Sequence, residues 1–254
     1  MPDGFVKRAP AGTPADFFAV EAAGLRWLAA AGPGAARTVE VLEVWPDRIV
    51  LARLTPDRPS RAAADDFGRA LARTHAAGAE AFGSPPPGVA GDGYIGRQPM
   101  TLRPTATWGA FYADQRVLPY ARAARQVGHL SRDGLAAVER VADRLHAGEL
   151  DDGRPPARIH GDLWSGNLLW TAGGAVLIDP AAHGGHGLTD LAMLHLFGAP
   201  GLDRISAAYA EASGLEPGWR QLVGLHQLHP LLVHAVSHGP AYGAEAEQVA
   251  GRYR

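Results

Sequence analysis

Apolar residues recur at helical spacing through residues 15–31, with Phe18, Ala22, Leu25 and Leu28 on one face. The stretch opens near Asp16 and stops at Gly32-Pro33-Gly34, so the pattern predicts an amphipathic helix. Ahead of it, Phe5-Val6-Lys7 reads as the end of a strand. Behind it, two β-rich runs at 38–45 and 48–54 flank Pro46-Asp47, the signature of a β-hairpin. The breaker cluster Pro56-Asp57-Arg58-Pro59-Ser60 then marks a boundary between a first lobe, 1–57, and a second, 58–254.

Helical periodicity dominates the second lobe. It predicts helices at 61–77, with Phe67 and Leu71 on the buried face, at 107–124 and at 132–146. A proline-bearing loop fills 83–93. Arg158-Ile159-His160 is a short strand, and 167–170 with 175–178 form a hairpin across Thr171-Ala172-Gly173-Gly174. From Thr189 onward the chain reads as helical, interrupted near Pro200, Pro217, Pro230 and Pro240. A small mixed piece followed by a mostly helical one is an α+β order.

Composition narrows the chemistry. The 254 residues are 46% hydrophobic and 20% charged, a balance that supports a packed core and excludes a disordered chain. Net charge is −2, so no bulk basic field is present to hold nucleic acid or an anionic membrane. Cysteine is absent, which removes disulfides, thiolate catalysis and Cys-type metal sites and is compatible with a cytoplasmic location. No apolar run approaches the roughly 20 residues of a membrane span, and the first residues do not read as a signal peptide.

The most informative stretch is 159–170, followed by Val176-Leu177-Ile178-Asp179-Pro180. Asp162 lies on a Gly-containing loop between apolar segments, Asn167 starts the next strand, and Asp179 ends the strand after that. A hairpin between those strands brings Asn167 beside Asp179. Two hard oxygen donors then converge next to a free carboxylate, a set that suits Mg²⁺ together with phosphate oxygens. Such a carboxylate can accept a proton from an attacking hydroxyl, the division of labour in kinase-type phosphoryl transfer.

These residues resemble the fructosamine kinase (ketosamine-3-kinase) family, a branch of the aminoglycoside-phosphotransferase-like kinases. The resemblance rests on His160-Gly161-Asp162-Leu163-Trp164-Ser165-Gly166-Asn167, on Asp179-Pro180, and on Gly185-His186 leading to Asp190-Leu191-Ala192-Met193. Phe5-Val6-Lys7, Tyr94-Ile95-Gly96, Trp108 with Phe111 and Arg116, and Gln227-Leu228 extend it over essentially the whole chain. It implies a protein-kinase-like two-lobed fold with a truncated N-lobe sheet and a mostly helical C-lobe. It further implies ATP and Mg²⁺ as cofactors and a small-molecule or protein-linked ketoamine as substrate, phosphorylated on the 3-hydroxyl of a fructosamine or ribulosamine.

By the same resemblance, Asp162 is the catalytic base and Asn167 and Asp179 hold the metal. Lys7 contacts nucleotide phosphate with Glu21 as its ion-pair partner, and the segment 52–54 meets adenine. Trp164 either lies near the sugar or props the loop. His183, His186, His234 and His238 have zinc-like spacings, but no cysteine or carboxylate cluster completes a site. His183 and His186 are read as lining the acceptor cleft or hydrogen-bonding the loop.

Two departures from the family pattern carry expectations. Lys7 stands only six residues from the first residue given, so the family's preceding strand, Gly-rich turn and strand are not in this sequence. A weaker phosphate grip and an unpaired sheet edge are expected without them. After Gly185-His186 the family's usual Arg-Glu is Gly187-Leu188 here, which puts in question the local ion pairing behind the metal loop but not the metal ligands themselves. The competing readings are a kinase of the same fold with an aminoglycoside, choline or sugar acceptor, and a nucleotide-binding pseudokinase.

Overall fold

The structure, a computed structural model, describes residues 4–254. Strand β1 (Gly4–Arg8) pairs antiparallel with β4 (Arg48–Ala52), and β4 pairs antiparallel with β3 (Val41–Trp45). The hairpin turns at Pro46-Asp47 as the sequence pattern requires. Inward-facing Ile49 and Leu51 alternate with partly exposed neighbours. Helix α1 (Phe17–Ala29) lays Phe18, Ala22 and Leu25 against them. The two periods, near 3.6 and 2, meet on one apolar seam.

The expected strand 38–45 is two strands. Strand β2 (Arg37–Thr38) leaves the hairpin and runs parallel to β9 (Gly174–Leu177), which pairs with β8 (Leu168–Thr171). The backbone changes partner between residues 39 and 40: Val39 N–H donates to Leu177 at 2.9 Å, while Ala52 N–H donates to the Glu40 carbonyl at 2.8 Å. Val176 of β9 also enters the cluster formed by α1 and β4. The small sheet is therefore seated on the hairpin that carries Asp179.

The rest is built on helices. Helix α2 (Arg61–Ala76) starts at Ser60, whose hydroxyl accepts the Ala63 amide at 3.0 Å, an N-cap worth about 1 kcal/mol. It packs along α7 (Leu202–Ser213). Helix α3 (Trp108–Phe111) runs through a widened π turn at residues 112–117 into α4 (Leu118–Gln126). Pro119 sits in the first turn of α4, where a normal α turn would drive its ring into a carbonyl four residues back; the wider turn relieves that clash. Helices α5 (Arg132–His146), α6 (Leu188–Phe197), α8 (Val223–His238) and α9 (Pro240–Tyr253) complete the body.

Pro230 does not break the chain, contrary to the sequence reading; α8 continues through it. The helix is opened just upstream by a foreign side chain. The Tyr112 hydroxyl accepts the His229 amide at 3.2 Å and donates to the Leu225 carbonyl at 2.9 Å, bridging the missing turn of the ladder. Two short pairings also went unread. Strand β7 (Ala157–Ile159) pairs with β10 (His183–Gly185). Strand β5 (Gly93–Ile95) pairs with β6 (Gln98–Met100) around Gly96-Arg97. Gly96 has φ +55°, and a glycine at the first position of a two-residue loop is the missed hairpin signal.

Candidate active site

The loop between β7 and β8 carries Asp162, Trp164 and Asn167, and Asp179 lies two residues beyond the end of β9. Gly161, at φ +81°, makes the sharp entry into this loop. A Cβ there would lie 2.3 Å from the Ala181 carbonyl oxygen, so no larger residue fits. Behind the loop the carboxylate of Asp190, on α6, accepts the amides of His160 and Gly161, each at 2.8 Å. His75 of α2 meets the same carboxylate at 3.0 Å and the Tyr209 hydroxyl at 2.7 Å. Burial opposes ionisation of Asp190, but the hydrogen bond and charge of His75, together with the nearby His160 ring and amide, outweigh it and lower its pKa.

His160 fixes the loop from within. Its Nε2–H donates to the Ile178 carbonyl at 2.9 Å, and its Nδ1 accepts the Asp162 amide at 3.2 Å. Those two bonds require the neutral tautomer, in line with a pKa that burial lowers.

The sequence-identified residues converge in front of this scaffold. The Asn167 amide nitrogen donates to the Asp162 carbonyl at 2.8 Å, to the Asp162 carboxylate at 3.1 Å and to the Asp179 carbonyl at 3.4 Å. That leaves its side-chain oxygen as the face available to a cation. Asp179 is the one non-glycine residue with positive φ among those described, at +53°, which aims its carboxylate back into the cleft. Lys7 of β1 reaches Glu21 on α1 at 2.9 Å and Asp179 at 3.0 Å. Burial works to lower the Lys7 pKa, but the two carboxylates together raise it, so the ammonium stays charged.

Asp162 has the opposite balance. Burial raises its pKa; the hydrogen bond from Asn167 pulls it down and the Asp179 and Asp190 charges push it up, to about 7. A cation held by Asn167 and Asp179 would favour the ionised form. One carboxylate and one amide oxygen, with room for phosphate oxygens, is a donor set that fits Mg²⁺. Among the described residues no group of three His, Asp or Glu side chains could hold a metal by itself.

Two cavities meet at the Lys7–Asp179 pair. One, of about 410 Å³, is lined by Phe5, Val39, Leu51, Leu169 and residues 52–54, an apolar slot that suits a flat heterocycle. The other, of about 400 Å³, holds Asp162, Trp164 and Asn167 with Glu21, Tyr94 and Arg97. Trp164 is 41% exposed and meets Phe197 edge-on with ring centres 6.5 Å apart. It lines the cleft while also covering Gly166.

His183 and His186 do not line the cleft. Both are buried, His183 on the Ala181 carbonyl at 2.8 Å and His186 on Asp152 at 2.8 Å. The second bond gives the segment before Gly187-Leu188 a carboxylate partner behind the loop. Sequence reasoning missed the roles of His75 and Tyr209, since a histidine and a tyrosine on helix faces carry no motif. It also missed the hairpin that brings Tyr94 and Arg97 to the cleft.

This two-lobed arrangement, a small sheet bearing Lys7 and a helix bearing Glu21 on a mostly helical body that carries the Asp162 loop, is the α+β fold of the aminoglycoside-phosphotransferase and protein-kinase-like enzymes. It overlays at TM-score 0.59 on ADP-bound aminoglycoside phosphotransferase APH(2'')-Ib, at 10% identity over 98% of this chain and 94% of that one. The fructosamine kinase family model matches residues 3–253, and the chain belongs to that family. A Thermobifida fusca structure described as a "putative fructosamine-3-kinase" is 46% identical, with TM-score 0.89 over 98% of this chain and 85% of that one. The "Probable ketoamine kinase slr1563" of Synechocystis is 37% identical over 72% of this chain. The match to that relative spans 59% of its length. The Thermus thermophilus "Probable ketoamine kinase TTHA1179" is 29% identical over 94% of this chain and 83% of its own.

Proposed function

We propose that this protein transfers the terminal phosphoryl group of ATP to a sugar hydroxyl of a ketoamine, the 3-hydroxyl of a fructosamine or ribulosamine. The observation that carries the reading is the meeting of Asp162, Asn167, Asp179 and Lys7 at the junction of two cavities. Family membership supports the ketoamine class of acceptor.

In this reading the apolar slot takes adenine, with the 52–54 segment supplying backbone partners. Lys7, kept charged and aimed by Glu21, binds phosphate oxygens. Asn167 and Asp179 hold Mg²⁺, which when bound neutralises the charge of the phosphate chain. Asp162 accepts the proton of the attacking hydroxyl and orients it in line with the bond to be broken. Trp164 gives the sugar a flat apolar face. The rigid back of the loop keeps Asp162 in place, so the geometry is set before substrate arrives. Phosphorylation beside the ketoamine carbonyl makes the adduct prone to elimination, which assigns the activity to removal of glycation from amines. We place that activity in the cytoplasm; no described helix is long and apolar enough to cross a membrane.

The test is phosphate transfer from ATP to fructosyl-lysine and ribulosyl-lysine, with the phosphorylated carbon located by phosphorus–proton NMR. Transfer to the C3 oxygen that needs both Mg²⁺ and Asp162 supports the reading. Transfer only to aminoglycoside, choline or free sugar acceptors, or nucleotide binding with no transfer, overturns it.

A further inference from the structure

The β5–β6 hairpin is anchored on both lobes. Tyr94 donates to Asp16 at the head of α1 at 2.7 Å, and its ring lies against Phe17 with centres 5.2 Å apart. On the other lobe, Gln98 reaches the Val233 carbonyl of α8 at 3.4 Å, and the Tyr120 hydroxyl donates to the Pro99 carbonyl at 3.1 Å. Ile95 and Met100 are buried in the main core. Four anchors within seven residues leave the strands little freedom, and the tight Gly96 turn fixes the tip.

That tip carries Arg97, which lines the cleft holding Asp162, Trp164 and Asn167. Its guanidinium makes no hydrogen bond or ion pair among the described residues, whereas its neighbour across the cleft, Arg8, is within 3.9 Å of Asp47. Arg97 is absent from the adenine slot. A free guanidinium on a rigid support, on the acceptor side of the Lys7–Asp179 pair, is a receptor for an oxyanion, carboxylate or phosphate.

We propose that Arg97 is a specificity-determining residue that pairs with an oxyanion carried by the acceptor. The inference rests on the ketoamine-kinase reading above and deepens it: the favoured substrates are ketoamines bearing a free carboxylate or a phosphate, ahead of neutral ones. The oxyanion has two sources, the carboxylate of the amine component or a phosphate on the sugar.

The experiment compares kcat/KM for fructosyl-glycine, for neutral fructosyl-glycinamide and for the 6-phosphate of fructosyl-glycinamide, at saturating Mg·ATP. The wild-type protein favours one charged acceptor over the neutral one by about 10-fold or more, the scale of one charge-assisted pair. A preference for fructosyl-glycine identifies the carboxylate, and a preference for the 6-phosphate identifies the sugar phosphate. In Arg97→Gln the preference falls to about twofold or less, through KM of the charged acceptor. In Arg97→Lys part of it returns.

Equal kcat/KM for charged and neutral acceptors in the wild type overturns the inference and leaves the ketoamine reading standing. A rise in the ATP KM of Arg97→Gln, with all acceptors slowed alike, also overturns it and assigns the guanidinium to the nucleotide. No transfer to any ketoamine, with nucleotide binding intact, overturns the functional reading and this inference with it.

Discussion

Behind the Asp162 loop, one buried carboxylate takes two backbone amides and an imidazole. In front of it, one ammonium on a long flexible stem is shared between two carboxylates. The back is short-range and rigid: Asp190 is fully buried, and its partners are backbone or a ring itself held by Tyr209. The front is partly open, with Lys7 at 29% and Asp179 at 38% side-chain exposure. The difference matches what the proposed function asks of each side. In the proposed reading Asp162 is the base, and misplacing a base by about 1 Å can cost a hundredfold in rate; a support built into the core prevents that. In the same reading Lys7 and Asp179 exchange each other for phosphate and metal, which a half-exposed, reversible pairing allows.

The contrast breaks if chemistry and stability do not separate along it. The largest effect is expected at the base. Asp162→Asn lowers kcat by about 10²–10⁴ while the thermal midpoint barely moves, because Asp162 supports no part of the core. Steady-state kinetics beside a melting curve checks both halves, and near-normal turnover removes Asp162 from the mechanism.

Next comes the back of the loop. Asp190→Ala leaves two amides and His75 without their acceptor and destabilises by about 3 kcal/mol or more. For a chain of this size that is a fall of roughly 6–12 °C in midpoint. Calorimetry decides it, and a variant as stable as the parent shows that the loop is held by other means.

Lys7→Met falls below that in stability and acts on function. Glu21 is buried and can take a proton once its partner is gone, so the fold loses little. Phosphate contact is lost, and kcat/KM for ATP falls about 10²-fold. Adding Glu21→Gln to Lys7→Met lowers it little further, since both act through one pair. Full additivity would show that Glu21 works independently of Lys7.

The smallest effect is a pH dependence behind the loop. Burial acts to raise the Asp152 pKa, but the hydrogen bond and charge of His186 bring it down to about 2. A carboxylate depressed in the folded state contributes stability that is complete above its ordinary value near pH 4. That stability fades as pH falls through about 2. The wild type should exceed Asp152→Asn by about 2 kcal/mol at pH 6, and the gap should close on acidification to pH 2. Urea unfolding at several pH values checks the sign; a gap that widens in acid refutes it.

The sequence carried the front of the site further than the back. Asp162, Asn167 and Asp179 sit on one loop and one hairpin, so spacing alone brings them together. Lys7 and Glu21 came from the resemblance and meet at 2.9 Å. His75 and Tyr209 lie 134 residues apart and Tyr94 and Asp16 lie 78 apart, separations that no local pattern encodes. The hairpin at 93–100 was hidden because each strand is three residues long, too short for alternation to register.

Local chemistry therefore determined the amphipathic helices, the Pro46-Asp47 turn, the glycine entry to the Asp162 loop and the oxygen donors it delivers. Each depends on residues within a few positions of one another. Tertiary structure decided the course of the backbone through Pro230, where a tyrosine from another helix bridges the ladder, and the partner change of residues 37–40. It also decided which histidines are buried supports and which arginine stands free at the cleft. Those outcomes depend on what packs against each residue, and only the folded chain brings those neighbours together.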